Sequence, residues 1–535
     1  MPAAQSADKT LRRARQASKA GNWAQAVALY QGVLARFPAN TRARREVEAL
    51  RPAGLPALLA SAQAAQAAGS WAEAERDLSA AAVLAPEMLE VGLALAACRL
   101  EMGRAPAALR AAEAVLALAP THPGALNARG RALREMGRGT EAEDSFKAAL
   151  GDAATEAQSL NNLGILARGR GEREAAAGYF RRALALAPTN AALHRNLAQA
   201  ITYDAETAHL GEMRARLAAA GPDDPGSAPL HFALFKALDD LDRRDEGFAH
   251  LEKANRLTRA ARGYDFKTDA LPYALTKAVF ATPVPALDRP PEPGQPRAIF
   301  VTGLPRTGTT LTERILSRAP GTQACGELTV VQLAAGRLLR SVVERADKTL
   351  TAEDLAGMGA EIRAGLAEYS DGSPVLIDKM PLNFRWIGFL CAALPEARIV
   401  HLNRDPMATA WSIYRHDFAG AGHGFAYDPA DIARFMVLHR EAMAHWRRIY
   451  PDRVFELDYG DLVGDTERAT RALAAAVGLT WTEDWLTPER AASQILTASA
   501  EQARRPIYRG SDAGWQRYAA QLGPLRAALT AAGVL

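Results

Sequence analysis

Cysteine is scarce. The 535 residues hold three, Cys98, Cys325 and Cys391, far apart and without the paired spacing of a metal site. A reduced, cytoplasmic setting is the simplest expectation. Long apolar runs are missing as well: hydrophobic residues make up 49% of the chain, yet no uninterrupted run approaches the ~20 residues that cross a bilayer. The basic opening "KTLRRARQASK" has no apolar stretch behind it, so no secretory signal is expected. Nor does one sign of charge dominate, since 64 Lys and Arg face 60 Asp and Glu for a net charge of +4. That balance suits an anionic small ligand and falls short of the clustered basic face that nucleic acid requires. His401, His416, His423, His439 and His445 show no metal-ligand spacing and read as core or surface residues.

What the chain does have is length and periodicity. At 535 residues it exceeds one ordinary core, so two or three domains are expected. Glycines recur at Gly21, Gly69, Gly103, Gly137 and Gly171, separated by one step of 48 residues and then three of 34. Seventeen residues after four of them stands a proline, Pro38, Pro86, Pro120 or Pro188, and the fifth slot holds Ala154. Seven residues before each glycine sits Ala14, Ala62, Ala96, Gly130 or Gly164, and five after it Ala26, Ala74, Ala108, Ala142 or Ala176. The pattern describes pairs of helices: glycine makes the turn, small residues let the helices approach, and proline ends the second helix. It resembles the tetratricopeptide repeat, most clearly in "LNNLGILARGRGEREAAAGYFRRALALAPTN". Five units over residues 7–200 are expected, the first set apart by an insertion near "RPAGLPA". Stacked neighbours would share a core and a concave surface.

From 201 to 281 the pattern stays helical but loosens, with one degenerate repeat in "HFALFKALDDLDRRDEGFAHLEKANRL". Six prolines in the seventeen residues of "TPVPALDRPPEPGQPRA" then predict an extended connector over 282–296. Beyond it the period changes. "AIFVTG", "PVLIDK", "ARIVHLNRD" and "RVFELDY" are short apolar runs separated by helical stretches, the signature of an α/β parallel sheet over 297–535. Ligands bind such sheets at the carboxyl ends of their strands.

The first run leads into "GLPRTGTT", where Gly303, Gly308 and Thr310 keep the spacing of a phosphate loop and Thr309 replaces its lysine. Backbone N–H groups and a helix start can hold an anion there. The lost lysine disfavours an ordinary nucleotide triphosphatase, kinase or GTPase, and no acidic strand end offers a trusted Mg²⁺ partner. A nucleotide with a short 5′ phosphate group and no obligatory metal is expected.

"PRTGTT" resembles the 5′-phosphosulfate loop of sulfotransferases, and "RDPMATAWS" their 3′-phosphate element. "GEL", "DKMPLNF", "DYGDLVGD" and "TASAEQARRPIY…W" follow in the order seen in tyrosylprotein sulfotransferases and bacterial tetratricopeptide-linked relatives. The resemblance implies an all-α repeat solenoid followed by an α/β P-loop-like sulfotransferase domain. It implies 3′-phosphoadenosine 5′-phosphosulfate as donor, a hydroxyl acceptor, preferably a protein tyrosine recruited by the repeats, and no metal. By the same resemblance Arg306, Thr307, Gly308, Thr309 and Thr310 cradle the 5′ phosphosulfate, with Arg306 also in the catalytic set. Arg404 and Ser412 hold the 3′ phosphate, while Tyr459, Ser499 and Arg505 contact the nucleotide. Glu327 matches the base and Lys379 the electrophilic lysine. Thr307 replaces a serine, Gly460 a glutamate, and Gly514 a basic residue whose contact Arg509 or Arg517 could supply.

The residues alone leave other roles open. Arg404 could pair with Asp405, Lys379 beside Asp378 could be a solvated strand end, and Glu327 could cap a helix starting near Leu328. "HDFAGAGHGFAYD" could be a lid or an ordinary loop. The acceptor could be a carbohydrate or small molecule, or the chain could be a repeat scaffold beside an inactive nucleotide domain.

Overall fold

The computed structural model describes residues 7–221, 223–287, 294–347, 349–418, 420–491, 504, 506–508 and 510–535. The chain forms two compact units, one ending at Asn162 and the other running from Leu163 to Leu535. Among the described residues no helix is long and apolar enough to cross a membrane.

The first unit is a run of antiparallel helices from Ala7–Lys19 and Trp23–Arg36 to Pro123–Glu135 and Gly139–Ala148. Gly21, Gly69, Gly103 and Gly137 turn the chain within each pair, with φ between 66° and 77°, a conformation that costs glycine nothing. Ala14, Ala62 and Ala96 are buried where paired helices touch. Gly130 stands in the same register, and a Cβ there would lie 2.5 Å from Phe146 Cε1. Gly130→Ala is therefore expected to destabilise this unit by about 1–3 kcal/mol through overpacking, read as a lowered midpoint in thermal unfolding. The "RPAGLPA" insertion does not break the array into a loop. It lies inside one 27-residue helix, Thr41–Ala67, which carries Pro52 and Pro56. Buried Val47, Leu50, Gly54, Leu58 and Ala62 keep helical spacing through the prolines, so tertiary packing offsets the lost N–H donors.

In the second unit, helices between 173 and 279 precede and support a five-stranded sheet. The strands are β1 (Arg297–Gly303), β2 (Thr322–Ala324), β3 (Val375–Lys379), β4 (Arg398–Asn403) and β5 (Val454–Asp458). Their order is β2-β3-β1-β4-β5, and all four pairings are parallel. The chain moves from β1 to one edge and then crosses to the other side of β1, which makes the carboxyl end of β1 the switch point where ligands bind. Ile299, Val301, Ile377, Val400 and Leu402 pack with Ile315, Leu473 and Trp485 in the core beneath. The short edge strand β2 was not anticipated.

The helices before the sheet are part of its packing. Phe235 and Phe248 contact Trp411 and Tyr518 with ring centroids 6.1–6.4 Å apart, and Asn255 Nδ2 donates to the Tyr414 carbonyl at 3.0 Å. The described residues of the proline-rich connector, 282–287 and 294–296, form no helix or strand, and the first part is tied to the domain. Tyr450 OH donates to Val284 O at 3.0 Å, and Leu287 N donates to Ala392 O at 3.0 Å.

Candidate active site

Two close approaches require the glycines of the phosphate loop. A Cβ on Gly303 would lie 2.8 Å from Leu402 O of β4, and one on Gly308 would lie 2.5 Å from Tyr459 Cδ2. Gly308 also adopts φ 102° as the residue before the Thr309–Leu316 helix. Between them Arg306 takes φ 71°, a left-handed conformation uncommon outside glycine. Its carbonyl accepts from Arg404 Nη1 at 2.7 Å, its Nε donates to Ser412 Oγ at 3.0 Å, and Thr307 Oγ1 donates to Leu304 O at 2.7 Å. Thr309 and Thr310 are buried where the first N–H groups of the helix and its dipole face the loop. The loop is thus preformed around a backbone and hydroxyl cradle.

Arg404 follows the end of β4. It does not pair with Asp405, which instead caps the Pro406–Tyr414 helix by accepting from Ala408 N at 2.7 Å. Arg404 donates through Nε to Asp512 Oδ1 at 2.7 Å, and its guanidinium lies 4.6 Å from the Tyr459 ring centroid. The Tyr459 hydroxyl meets Ser511 Oγ at 2.9 Å. Burial, then the charges of Arg404 and Arg415, push the Arg306 guanidinium down to about 10. An anion here would relieve that crowding of positive charge. Arg306, Thr307, Gly308, Thr309, Thr310, Arg404, Ser412 and Tyr459 are therefore gathered at one place. Ser499, Arg505 and Arg509 lie outside the described residues. Arg517 reaches Asp242 at 3.1 Å and Asp239 at 3.4 Å.

Lys379 is the last residue of β3, in register with Val301 of β1. Its side chain is 0% exposed and forms an ion pair with Glu327, whose side chain is 39% exposed. Lys379 is therefore no solvated strand end. Glu327 caps nothing, since the next helix, Val330–Glu344, follows Thr329. Burial raises the Glu327 carboxyl, but the charge and hydrogen bond of Lys379 outweigh it and hold the group below the ordinary carboxylate range. The result is an ionised carboxylate open to solvent, backed by a buried ammonium.

Several groups here carried no assigned role in the sequence reading. Glu313 accepts from Gly326 N at 2.9 Å, and Asp378 Oδ2 accepts from Asn383 Nδ2 at 3.2 Å. Asp512 and Ser511 reach Arg404 and Tyr459 from a distant segment. The only available signal for Glu313 was an acid among the apolar residues of "LTERIL". In the glycine-rich loop, Phe425 stacks on Phe435 at 3.6 Å and a Cβ on Gly424 would lie 2.3 Å from Tyr264, so its second half is packed in the core. At Gly460 the amide donates to Asp458 Oδ1 at 2.7 Å, closing a helix cap. Among the described residues no group of three or more His, Cys, Asp or Glu is placed to hold a metal.

The fold is a helical repeat region followed by a P-loop-like α/β domain, with cation-rich and carboxylate–lysine groups gathered at its strand ends. Residues 296–483 match the sulfotransferase family model. An uncharacterized protein of Aquifex aeolicus is 32% identical over 313 residues, 56% of this chain and 41% of that protein. The chain thus spans about two fifths of that relative's length. Among solved structures, the sulfotransferase domain of the Synechococcus PCC 7002 olefin synthase is 20% identical, covering 46% of this chain and 98% of that domain with a TM-score of 0.30. Pseudomonas aeruginosa pilF is 19% identical, covering 39% of this chain and 93% of its own with a TM-score of 0.30.

Proposed function

We propose that the chain moves the sulfuryl group of 3′-phosphoadenosine 5′-phosphosulfate to a hydroxyl, preferably that of a protein tyrosine, without a metal. The observation that carries this reading is the buried Lys379 paired with accessible Glu327, one strand from the lysine-free loop. The match of residues 296–483 to the sulfotransferase family supports it. In this reading residues 7–200 recruit the acceptor, 201–281 extend the helices, 282–296 connect, and 297–535 perform the chemistry in the cytoplasm.

The cradle from Arg306 to Thr310 holds the 5′ phosphosulfate through amide and hydroxyl donors, and Arg404 with Ser412 holds the 3′ phosphate. Guanidinium geometry suits phosphate, which would compete with Asp512 for Arg404. Lys379 pairs with Glu327 and keeps its carboxylate ionised. Glu327 then takes the proton of the acceptor hydroxyl as its oxygen bonds to sulfur. The bond from sulfur to the bridging oxygen breaks, and Lys379 stabilises the charge on the departing bisphosphate.

Transfer of labelled sulfate from the donor to a peptide library and a glycan panel tests the reaction and its acceptor. No transfer to any hydroxyl would reject the reading, and transfer to glycans alone would reject the tyrosine preference. Calorimetry with EDTA present tests the donor site. Adenosine 3′,5′-bisphosphate should bind more tightly than adenosine 5′-phosphate, and Arg404→Ala should remove about 1.5–3 kcal/mol from the bisphosphate alone. Equal affinities for the two nucleotides would sink the 3′-phosphate assignment.

A further inference from the structure

Glu327 lies in a segment that secondary structure does not hold. Residues 325–329 belong to no helix or strand, and Gly326 has φ 72°. Buried backbone donors in such a segment need partners from elsewhere. Two carboxyl side chains supply them. Glu313, on the helix that follows the phosphate loop, accepts from Gly326 N at 2.9 Å. Asp378, next to Lys379 on β3, accepts from Leu328 N at 3.4 Å and is itself held by Asn383 Nδ2 at 3.2 Å. The two amides gripped are those on either side of Glu327. A third tie, Lys379 N to Gly326 O at 2.9 Å, anchors the same segment to the strand that carries the lysine.

We propose that Glu313 and Asp378 are positioning residues that grip the backbone on both sides of Glu327 and aim its carboxylate at the phosphate loop. The inference rests on Glu327 being the base of the sulfuryl transfer. Its chemical logic lies in the charge count. Glu313, Glu327 and Asp378 surround a single ammonium, Lys379; Glu313 is 6% exposed and Asp378 0%. Burying an acid that shares one ammonium with two others favours its neutral form, and both gripping acids are shifted that way. Burial, followed by the nearby Glu313 charge, raises Asp378 to about 8 against the pull of Lys379 and of its hydrogen bonds. Burial also raises Glu313, with Lys379 and the Gly326 amide opposing and Glu327 adding to the rise. Arg314 and Cys325 are further titratable groups beside the pair. An acid shifted toward its neutral form still grips through a carbonyl oxygen and leaves the charge of Lys379 to Glu327. The acids therefore matter for their acceptor oxygens rather than for negative charge.

The test separates grip from charge in the full chain. Glu313→Gln keeps an acceptor of the same reach, and Glu313→Leu keeps bulk without one. The glutamine variant should transfer sulfate within about threefold of wild type. The leucine variant should slow single-turnover transfer by roughly 10²-fold, the scale of a misplaced catalytic group, with unchanged affinity for adenosine 3′,5′-bisphosphate. Amide hydrogen exchange at Gly326 should quicken in Glu313→Leu and stay slow in Glu313→Gln. Asp378→Ala against Asp378→Asn makes the same comparison at Leu328, and decides the matter if Glu313→Leu does not fold. A leucine variant with wild-type exchange and rate overturns the grip, and a glutamine variant as slow as leucine shows that charge is what counts. Failure of wild type to transfer sulfate would reject the sulfotransferase reading instead; the exchange comparison would still judge the grip.

Discussion

Glu327→Gln should slow single-turnover sulfate transfer by roughly 10²–10⁴-fold, the usual cost of losing a general base, and leave bisphosphate affinity unchanged. A phenol with a pKa of about 10 is scarcely ionised at neutral pH, so a tyrosine acceptor depends on a group that takes its proton. Of the three acids around Lys379, Glu327 is the accessible one: its side chain is 39% exposed against 0% for Lys379, while Glu313 and Asp378 are 6% and 0% exposed. Glutamine keeps the size and can still accept a hydrogen bond from the ammonium, but it cannot take a proton. Arg306 and Arg404, proposed to hold the phosphates, belong to other elements: Arg306 lies between β1 and the Thr309–Leu316 helix, and Arg404 follows β4. Loss of rate together with loss of bisphosphate binding would mean that the site had collapsed. A near-normal single-turnover rate with the true acceptor would remove Glu327 as the base.

The sequence was most legible where one residue type met one geometric demand. A chain must turn tightly at 34-residue intervals, and the glycines there adopt positive φ. Strands buried on both faces are largely apolar, as "AIFV" is in β1, while β4 keeps Ile399, Val400 and Leu402 around a buried His401. The phosphate loop was legible because Gly303 and Gly308 have no room for a Cβ, which leaves a fixed spacing in the sequence. Legibility failed where contact, rather than period, decides structure. β2 is three residues long, Thr322–Ala324, and pairs with β3 alone, so it is too short for a pattern. Prolines in "RPAGLPA" signal a break, yet core packing carries the helix through them. Asp512 stands 108 positions from Arg404, and no local rule links them. Glu313 and Asp378 were visible as residues; their burial, which gives them meaning, was not.

Removing the ammonium should have a second large effect, distinguishable from the first. Lys379→Ala is expected to slow transfer by about 10²–10³-fold, the range for losing a group that stabilises developing charge. It should also change the pH dependence. In the native chain Lys379 holds the Glu327 carboxyl below its ordinary value against burial. The base is then ionised at neutral pH, and the rate falls only as pH drops through that depressed value. Without Lys379 only the smaller influence of His423 opposes burial and the carboxyl titrates higher, so the acid limb of the single-turnover profile should move toward neutrality. Glu327→Gln should lack that limb, because the titrating group is gone. The double variant should be far less impaired than the product of the two single effects, because both residues serve one transition state. Multiplicative losses, or an acid limb that stays put in Lys379→Ala, would show that the pair seen in the structure does not act as a unit in the reaction.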